Sequence, residues 1–389
     1  ALAAAAPVSV AAQGFCAALA LQCSVLLGVK LMWGSCVCKL ASGCPEWASG
    51  TAMAHHHRTT CLPRPMARWA HLWTCRGEAW RSSWQGLGAL YAEGPACLLA
   101  LCGWGPARAL CAGLWCGLMA GIAATGNYGF FNLQTCVLAL ALLDDAQLPG
   151  GLRRLAAPAG PAWPAPAWAP WDLALAGLAV LAWAFYAAAS MAVLASACGV
   201  PPPTWASRAN RDLLPLRLGG RFGLFARMTT TRDEVVVREL HELPAAAAAA
   251  AGSLARPAGG GRYWVELSLP YKPGPVDRPP PSLLLHMPRL DWQLWFASLS
   301  WRRGGSAGLP AWTSRFLHGL RVRRPEVVAL VAHRGQPEVQ ELALRSRPLA
   351  TRVTLEEYHY SDPRADAAQL GPEWECGRWW SRRELMADG

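Results

Sequence analysis

Charge is what this chain has least of. Only 16% of its 389 residues are Asp, Glu, Lys or Arg, against about 25% in an ordinary soluble domain. The deficit is local: most charges fall after Arg208, so the first half reads as membranous and the second as soluble. The second half is in turn almost free of cysteine. Thirteen of the 14 Cys lie between Cys16 and Cys198, and Cys376 stands alone beyond them, which excludes an internal disulfide in the soluble part. Catalytic signatures are missing as well. There is no G-x-x-x-x-G-K-[ST] phosphate loop and no H-E-x-x-H. No G-x-S-x-G occurs, so a lipase or esterase of the usual α/β kind is not encoded. No carboxylate pair stands in a clear cleft context and no Cys pair has strong zinc spacing, so no catalytic residue, metal or cofactor is expected. Residues 1–12 are apolar without a basic n-region and do not read as a signal peptide. The first residue is Ala1 and not Met, as expected of a fragment or processed form with helices missing upstream.

What is present in quantity is apolar sequence, 53% of the chain, with a formal net charge of +11. The arginines are dispersed and not gathered on one predicted helix. They fit the basic flanks of a membrane protein, and nucleic acid is not an expected partner. About 20 apolar residues cross a bilayer as a helix. Four runs meet that length: 15–33, 87–104, 107–125 and 171–197. Gly126-Asn127 interrupts the helical pattern, and the apolar run that follows is shorter than a span and ends at Asp144-Asp145. A re-entrant or interfacial helix over 129–143 is one reading; the other has Asn127 capping a new helix at the membrane surface. Asn132 lies in the same short run. Lys30 and Glu93 are the ionisable residues deepest in apolar sequence, where charge faces a bundle interior or water. Lys30 is near enough to a helix end to snorkel, Glu93 precedes a Gly94-Pro95 kink, and a Lys30–Glu93 pair is an open alternative.

The stretch from Gly34 to about Gly86 is long for a helix connection and rich in Trp, His and Arg. Trp47, Trp69, Trp73, Trp80 and Trp84 fit an interfacial aromatic belt. His55-His56-His57 reads either as a metal tract, with Cys61 as a further ligand, or as a solvated loop. Cys36, Cys38, Cys44 and Cys61 are oxidisable if this loop faces an oxidising lumen. Residues 158–170 form a Pro/Ala/Trp connector of extended shape. Beyond it, 234–240, 262–269 and 351–360 read as strands, and 290–298 and 311–320 as short helices. Residues 326–333 read as helix or strand. Ala245–Ala251 has high helix propensity but reads as an inserted loop. The fold expected is an α-helical multi-pass membrane domain over 1–204 and a β-sandwich-like soluble domain with short helices over 205–389.

The densest string is Pro288-Arg-Leu-Asp-Trp-Gln-Leu-Trp-Phe296, placed after Tyr271-Lys-Pro-Gly274. Arg289 and Asp291 suit an Arg–carboxylate contact that orients two segments, and Trp292, Trp295 and Phe296 bury large area. The cluster is either a fold-specific core or a partner-docking surface. Trp374, Trp379 and Trp380 fall under the same two readings.

Taken with Lys39, Ser42–Pro45, Cys61–Pro63, Thr125-Gly-Asn127, Phe131-Asn132, Leu143–Asp145, Gly223–Phe225, Met228-Thr229, Glu234–Val236 and Trp379-Trp380, these strings resemble the lipase maturation factor family over most of the chain, closer to the second of its vertebrate types. The resemblance implies a multi-pass protein of the endoplasmic reticulum membrane with its C-terminal domain in the lumen. It would assist the folding and assembly of secreted lipases as a non-enzyme. The client would dock near Arg289, Asp291, Trp292, Trp295, Phe296, Trp379 and Trp380. His56-His57-Arg58 departs from the His-Tyr-Glu usual in the family, so a role of that Glu does not carry over. Two rivals follow. One is an intramembrane enzyme distantly similar to vitamin K-dependent carboxylases, with Lys30, Glu93, His56 and Asn127 around one pocket. The other is a thiol-redox helper using Cys36/Cys38 or Cys44/Cys61.

Overall fold

A computed structural model describes residues 9–148, 150, 168–215, 220–283, 286–333, 336–362 and 370–387. Most of the 158–170 connector lies outside the described residues. The chain divides into two compact units, each assembled from three stretches. The first takes Ala1–Gly50, Ser83–Gly121 and Phe131–Met228; the second takes Thr51–Ser82, Ile122–Phe130 and Thr229–Gly389.

The first unit is helical. Its frame is α1 (Val10–Ala41), α7 (Gly105–Thr125) and α9 (Pro170–Ala197). These are three helices long and apolar enough to cross a bilayer, and only 22–28% of their apolar stretches is buried within the protein. The Ser9 side chain caps α1 by accepting from the Ala12 N–H, and Asp172 in the first turn of α9 accepts from the Ser9 and Ala169 N–H groups. A carboxylate at that end is favoured by the helix dipole. Small residues let the helices approach: a Cβ on Gly28 of α1 would lie 2.8 Å from the Trp115 ring of α7.

The run over 87–104 is not one helix. α5 (Trp80–Glu93) stops at Gly94-Pro95 and α6 (Ala96–Ala100) follows. Pro95 has no N–H for the carbonyl one turn back, which divides the run. The run after Asn127 gives α8, shortened to Phe131–Leu140, because Gly129 takes a left-handed φ of 60° just before it. Asp144 and Asp145 sit beyond its end in a 3-10 turn closed by the Asp144–Gln147 capping box. The stretch between the first two runs holds α2 (Pro45–Ala48), α3 (Ala52–Thr59) and α4 (Pro65–Cys75), and α10 (Thr204–Leu213) follows α9.

The second unit is built on one antiparallel sheet of six strands in the order β2-β3-β1-β4-β6-β5. The strands are β1 (Arg232–Glu242), β2 (Ala255–Gly259), β3 (Arg262–Glu266), β4 (Ala350–Tyr360), β5 (Glu375–Cys376) and β6 (Trp380–Ala387). Its helices are α11 (Ala245–Ala250), α12 (Arg289–Gly304), α13 (Ala311–Arg321), α14 (Pro325–Val331) and α15 (Glu338–Arg345). The poly-Ala stretch is therefore a helix and not a loop, as its propensity alone dictates. Alternation along β1 splits two kinds of core. Val235 and Val237, facing Leu355 and Val353 of β4, pack under Leu294, Ala297, Trp301, Phe316 and Leu320 of the helices. The opposite face is buried but charged. Arg238 meets Glu266 at 3.2 Å and Glu356 at 2.5 Å, and Arg382 meets Glu266 at 2.7 Å and Glu356 at 3.5 Å. Burial alone would raise the Glu266 carboxyl; the two guanidiniums reverse this and hold it below its usual value.

Candidate functional site

The strings singled out in the sequence meet in the second unit as a closed ring of contacts. Asp291, in the first turn of α12, is buried and accepts from the Tyr271 and Lys272 N–H groups at 2.8 and 2.9 Å. Burial pushes its carboxyl up, and the two backbone donors work against that. The Lys272 ammonium donates to Val235 O and Pro273 O at 3.2 and 3.1 Å and lies 3.3 Å from Glu234. Glu234 pairs with Arg232 at 2.6 Å. The Arg232 guanidinium, fully buried, donates to the carbonyls of Arg58 and Thr60. The Thr60 hydroxyl is 2.6 Å from the Tyr128 hydroxyl. The Tyr128 ring meets Trp292 edge-on at 6.0 Å, which returns the circuit to α12.

Asn127 serves this ring as a turn residue. Its side-chain Oδ1 accepts from the Gly129 N–H, its backbone N–H donates to Leu62 O, and Pro63 bridges Gly126. A Cβ at Gly126 would lie 2.7 Å from the Tyr128 ring and 2.8 Å from Thr60 Oγ1, so this close approach requires glycine.

The outer face of α12 carries the remaining residues of the string. Arg289 is exposed and Phe296 is 45% exposed. Trp292 and Trp295 are half-buried. Trp292 stacks on Phe296 with planes 6° apart, and Trp295 meets Phe296 edge-on at 5.1 Å. The spacing 289, 292, 296 is one helical face. The expected Arg289–Asp291 contact is not among the ion pairs of the described residues; two backbone donors hold Asp291 instead. Trp380 is core and not surface. It is fully buried, stacks on Tyr360 at 4.5 Å, and donates its indole N–H to Arg278 O. Trp379 is half-buried beneath the Arg68 guanidinium, 5.0 Å from its ring.

In the first unit the partner of Glu93 is Lys39, at 2.6 and 2.8 Å, and not Lys30. Lys39 also sits over the Trp47 ring at 5.6 Å, while Lys30 lies over Tyr186 at 5.0 Å. Asp144 lies 3.8 Å from Arg108, Asp145 is exposed, and Asn132 is half-buried on α8. Of the four residues named for an intramembrane pocket, Lys30 and Glu93 belong to the first unit and His56 and Asn127 to the second. Cys44 and Cys61 are free and buried. Cys44 donates to Glu46 and accepts from the Met228 N–H, and burial pushes the Cys61 thiol up to about 11. A redox thiol needs a lowered value. Cys36 and Cys38, also free, are two apart on α1, a spacing at which helix side chains diverge. Among the described residues no group of three His, Cys, Asp or Glu is arranged to hold a metal.

Sequence reasoning missed Arg232, Lys272 and Tyr128. The signal available was their place inside or beside the quoted strings; the contacts that close the ring join residues as far as 174 positions apart by tertiary approach alone.

Comparison with known proteins divides the chain by sequence order, with Thr51–Ser82 and Ile122–Phe130 inside the first profile although they fold with the second unit. The profile of the lipase maturation factor transmembrane domain matches residues 8–150, and that of the lipase maturation factor C-terminal domain matches residues 218–387. Lipase maturation factor 2 of Homo sapiens is 29% identical over 91% of this chain and 57% of its own length. The protein of the same name from Rattus norvegicus is 28% identical over the same shares. Lipase maturation factor 1 of Homo sapiens is 24% identical over 92% of this chain and 58% of its own length. The chain thus spans a little over half the length of the curated relatives it matches, and no solved structure matches it. With both domain profiles in order along one chain, this protein belongs to the lipase maturation factor family, nearer to the second type than to the first.

Proposed function

We propose that this chain is a non-catalytic membrane factor of the endoplasmic reticulum that assists the folding and assembly of secreted lipases, with the sheet unit in the lumen. The observation that supports the reading is the aromatic face of α12: Phe296 stands outward with half-buried Trp292 and Trp295 against it, while buried Asp291 fixes the start of the helix from beneath. Rigid aromatics beside an arginine are the residues that dominate protein recognition.

Chain connectivity supports the membrane arrangement. A folded unit lies on one side of a bilayer, and Thr51–Ser82, Ile122–Phe130 and Thr229–Gly389 belong to one unit. The chain between each pair of these stretches crosses an even number of times. One crossing in 83–121 is α7, so the broken pair α5–α6 supplies the other. One crossing in 131–228 is α9, so α8 with residues 141–148 supplies the other. With α1 this makes five passes. Outward Leu87, Tyr91, Leu98 and Leu101, and Leu133, Val137 and Leu140 on α8, are the side chains lipid would solvate.

Two measurements test the reading. Glycosylation tags placed after Arg76 and after Gly259 are both expected to be modified in cells, and a tag after Leu148 is expected to stay bare. The double variant Trp295→Ala/Phe296→Ala is expected to lower secretion of active lipase several-fold at an unchanged level of the factor. Undiminished secretion refutes the docking face; a modified tag after Leu148 refutes the five-pass arrangement.

A further inference from the structure

The α4 helix is bound to the sheet unit by one face only. Pro65 opens it at a position where its missing N–H costs nothing. Ala67, His71 and Thr74 are buried; His71 lies 5.6 Å from the Tyr360 ring, and Arg68 donates to Ser361 O. The opposite stripe, Met66, Trp69 and Trp73, is 53%, 65% and 47% exposed. It continues beyond the helix: the Arg81 guanidinium lies 4.9 Å from the Trp73 ring and 5.7 Å from that of Trp80, itself 49% exposed. No ion pair of Arg81 occurs among the described residues; its guanidinium donates to Trp73 O at 3.1 Å and lies against the two indoles. Three indoles and a thioether about half to two-thirds exposed along one line form a contiguous apolar patch, which singly scattered surface residues do not.

We infer that this stripe is a second membrane attachment, with Met66, Trp69 and Trp73 seated at the headgroup–acyl boundary of the bilayer the chain itself crosses. Three observations favour phospholipid as the occupant. The residues are those that settle at the interface, two indoles and a flexible thioether, with an arginine beside them. Charge complements lipid phosphate at one point: Arg81 stands beside the stripe, while Arg58, Arg64, Arg68 and Arg76 are engaged by Thr230 O, Ser282, Ser361 O and the Asp362 carboxylate. The stripe also runs directly into Trp80, the first residue of α5, which on the five-pass reading enters the bilayer. The inference rests on that reading. Its consequence is that the sheet unit is held at the membrane surface by α4 in addition to its covalent links.

The test uses the full chain in nanodiscs, with a photoreactive benzoylphenylalanine in place of Trp69 or of Trp73, and at Leu178 of α9, 65% exposed, as the lipid-facing reference. Phospholipid adducts at Trp69 and Trp73 comparable to those at Leu178 are expected. Adding phosphatidylserine to phosphatidylcholine discs is expected to raise them, and Arg81→Gln to cancel the rise. Adducts at Leu178 without adducts at Trp69 and Trp73, or adducts there to protein, overturn the inference. Because the glycosylation tags are scored separately, that result leaves the five-pass arrangement standing, and failure of the tags is recognised as failure of the arrangement itself.

Discussion

In the helical unit the buried ammonium of Lys39 has one carboxylate, Glu93, and aromatic rings around it. In the sheet unit Arg238, Arg382, Glu266 and Glu356 share their charges four ways, with Tyr358 and Glu375 at the margin. The two solutions answer different surroundings. The outside of the helical unit is apolar, with Leu173, Leu178 and Leu181 at 60%, 65% and 69% exposure on α9. Charge there is met inside the bundle by a closed pair, Lys39–Glu93, or by an aromatic face, as for Lys30 over Tyr186. The sheet unit has helices over one face and can devote the other to a lattice in which every cation touches more than one anion. A shared lattice fixes strand register, because a one-residue slip would turn every one of these charges to the apolar face.

The comparison breaks most readily at Arg382. Arg382→Ala leaves Glu266 and Glu356 facing one another with less compensation, and the expected loss is about 3–5 kcal/mol. That is a large share of the stability of a domain. Hydrogen exchange is expected to rise across β3, β4 and β6 and to stay unchanged in α1 and α9; equal protection in the variant would show that the lattice is dispensable. Lys39→Met is expected to cost less, about 1–3 kcal/mol, since a lone carboxyl can take a proton where a lattice of fixed charges cannot relax. Lys39→Met/Glu93→Leu is expected to recover most of that loss, measured as thermal unfolding in detergent. A double variant no better than the single one would mean that the pair positions α5 and does not merely neutralise charge.

The smallest effect sharpens the contrast through pH. Burial, and then the Arg58 charge, bring the His71 imidazole down to about 3 from 6.5. A folded-state value below the unfolded one means that stability is complete above 6.5 and drains as pH falls toward 3. The Glu357 carboxyl, held down to about 2 by the His359 hydrogen bond and then by Arg383, adds a second stage between 4.5 and 2. The denaturation midpoint of the sheet unit is expected to decline below pH 6.5. His71→Asn, which keeps a donor near Nδ1, is expected to flatten that first stage; an unchanged slope would sink the assignment to His71.

Much of the architecture was open to reading. Length and hydropathy are local sums, so α1, α7 and α9 follow from composition alone. β1 and β4 announce themselves through Val, Leu and Tyr, although β1 is buried on both faces and its charges hide the alternation. β6 was passed over because Arg382, Arg383 and Glu384 make an inner strand look like a solvated segment, and the edge strand β5 because it is two residues long. The aromatic cluster was half legible. Trp292, Trp295 and Phe296 do reach the surface of α12, whereas Asp291 and Trp380 went inward, and no local pattern separates a Trp that stacks on Tyr360 from one that stacks on Phe296.

By itself the sequence determined that this protein has an apolar helical part and a strand-rich part, and that its strings are those of one family. Only tertiary structure decided that Lys39 and not Lys30 neutralises Glu93, that Thr51–Ser82 and Ile122–Phe130 fold with the sheet, and that Asn127 is a turn residue in a ring of buried contacts. The reason is one of range. Helix length and apolar periodicity depend on neighbours within a few turns. The partner of a buried charge is set instead by which distant segment arrives beside it, and that is fixed by the packing of the whole unit.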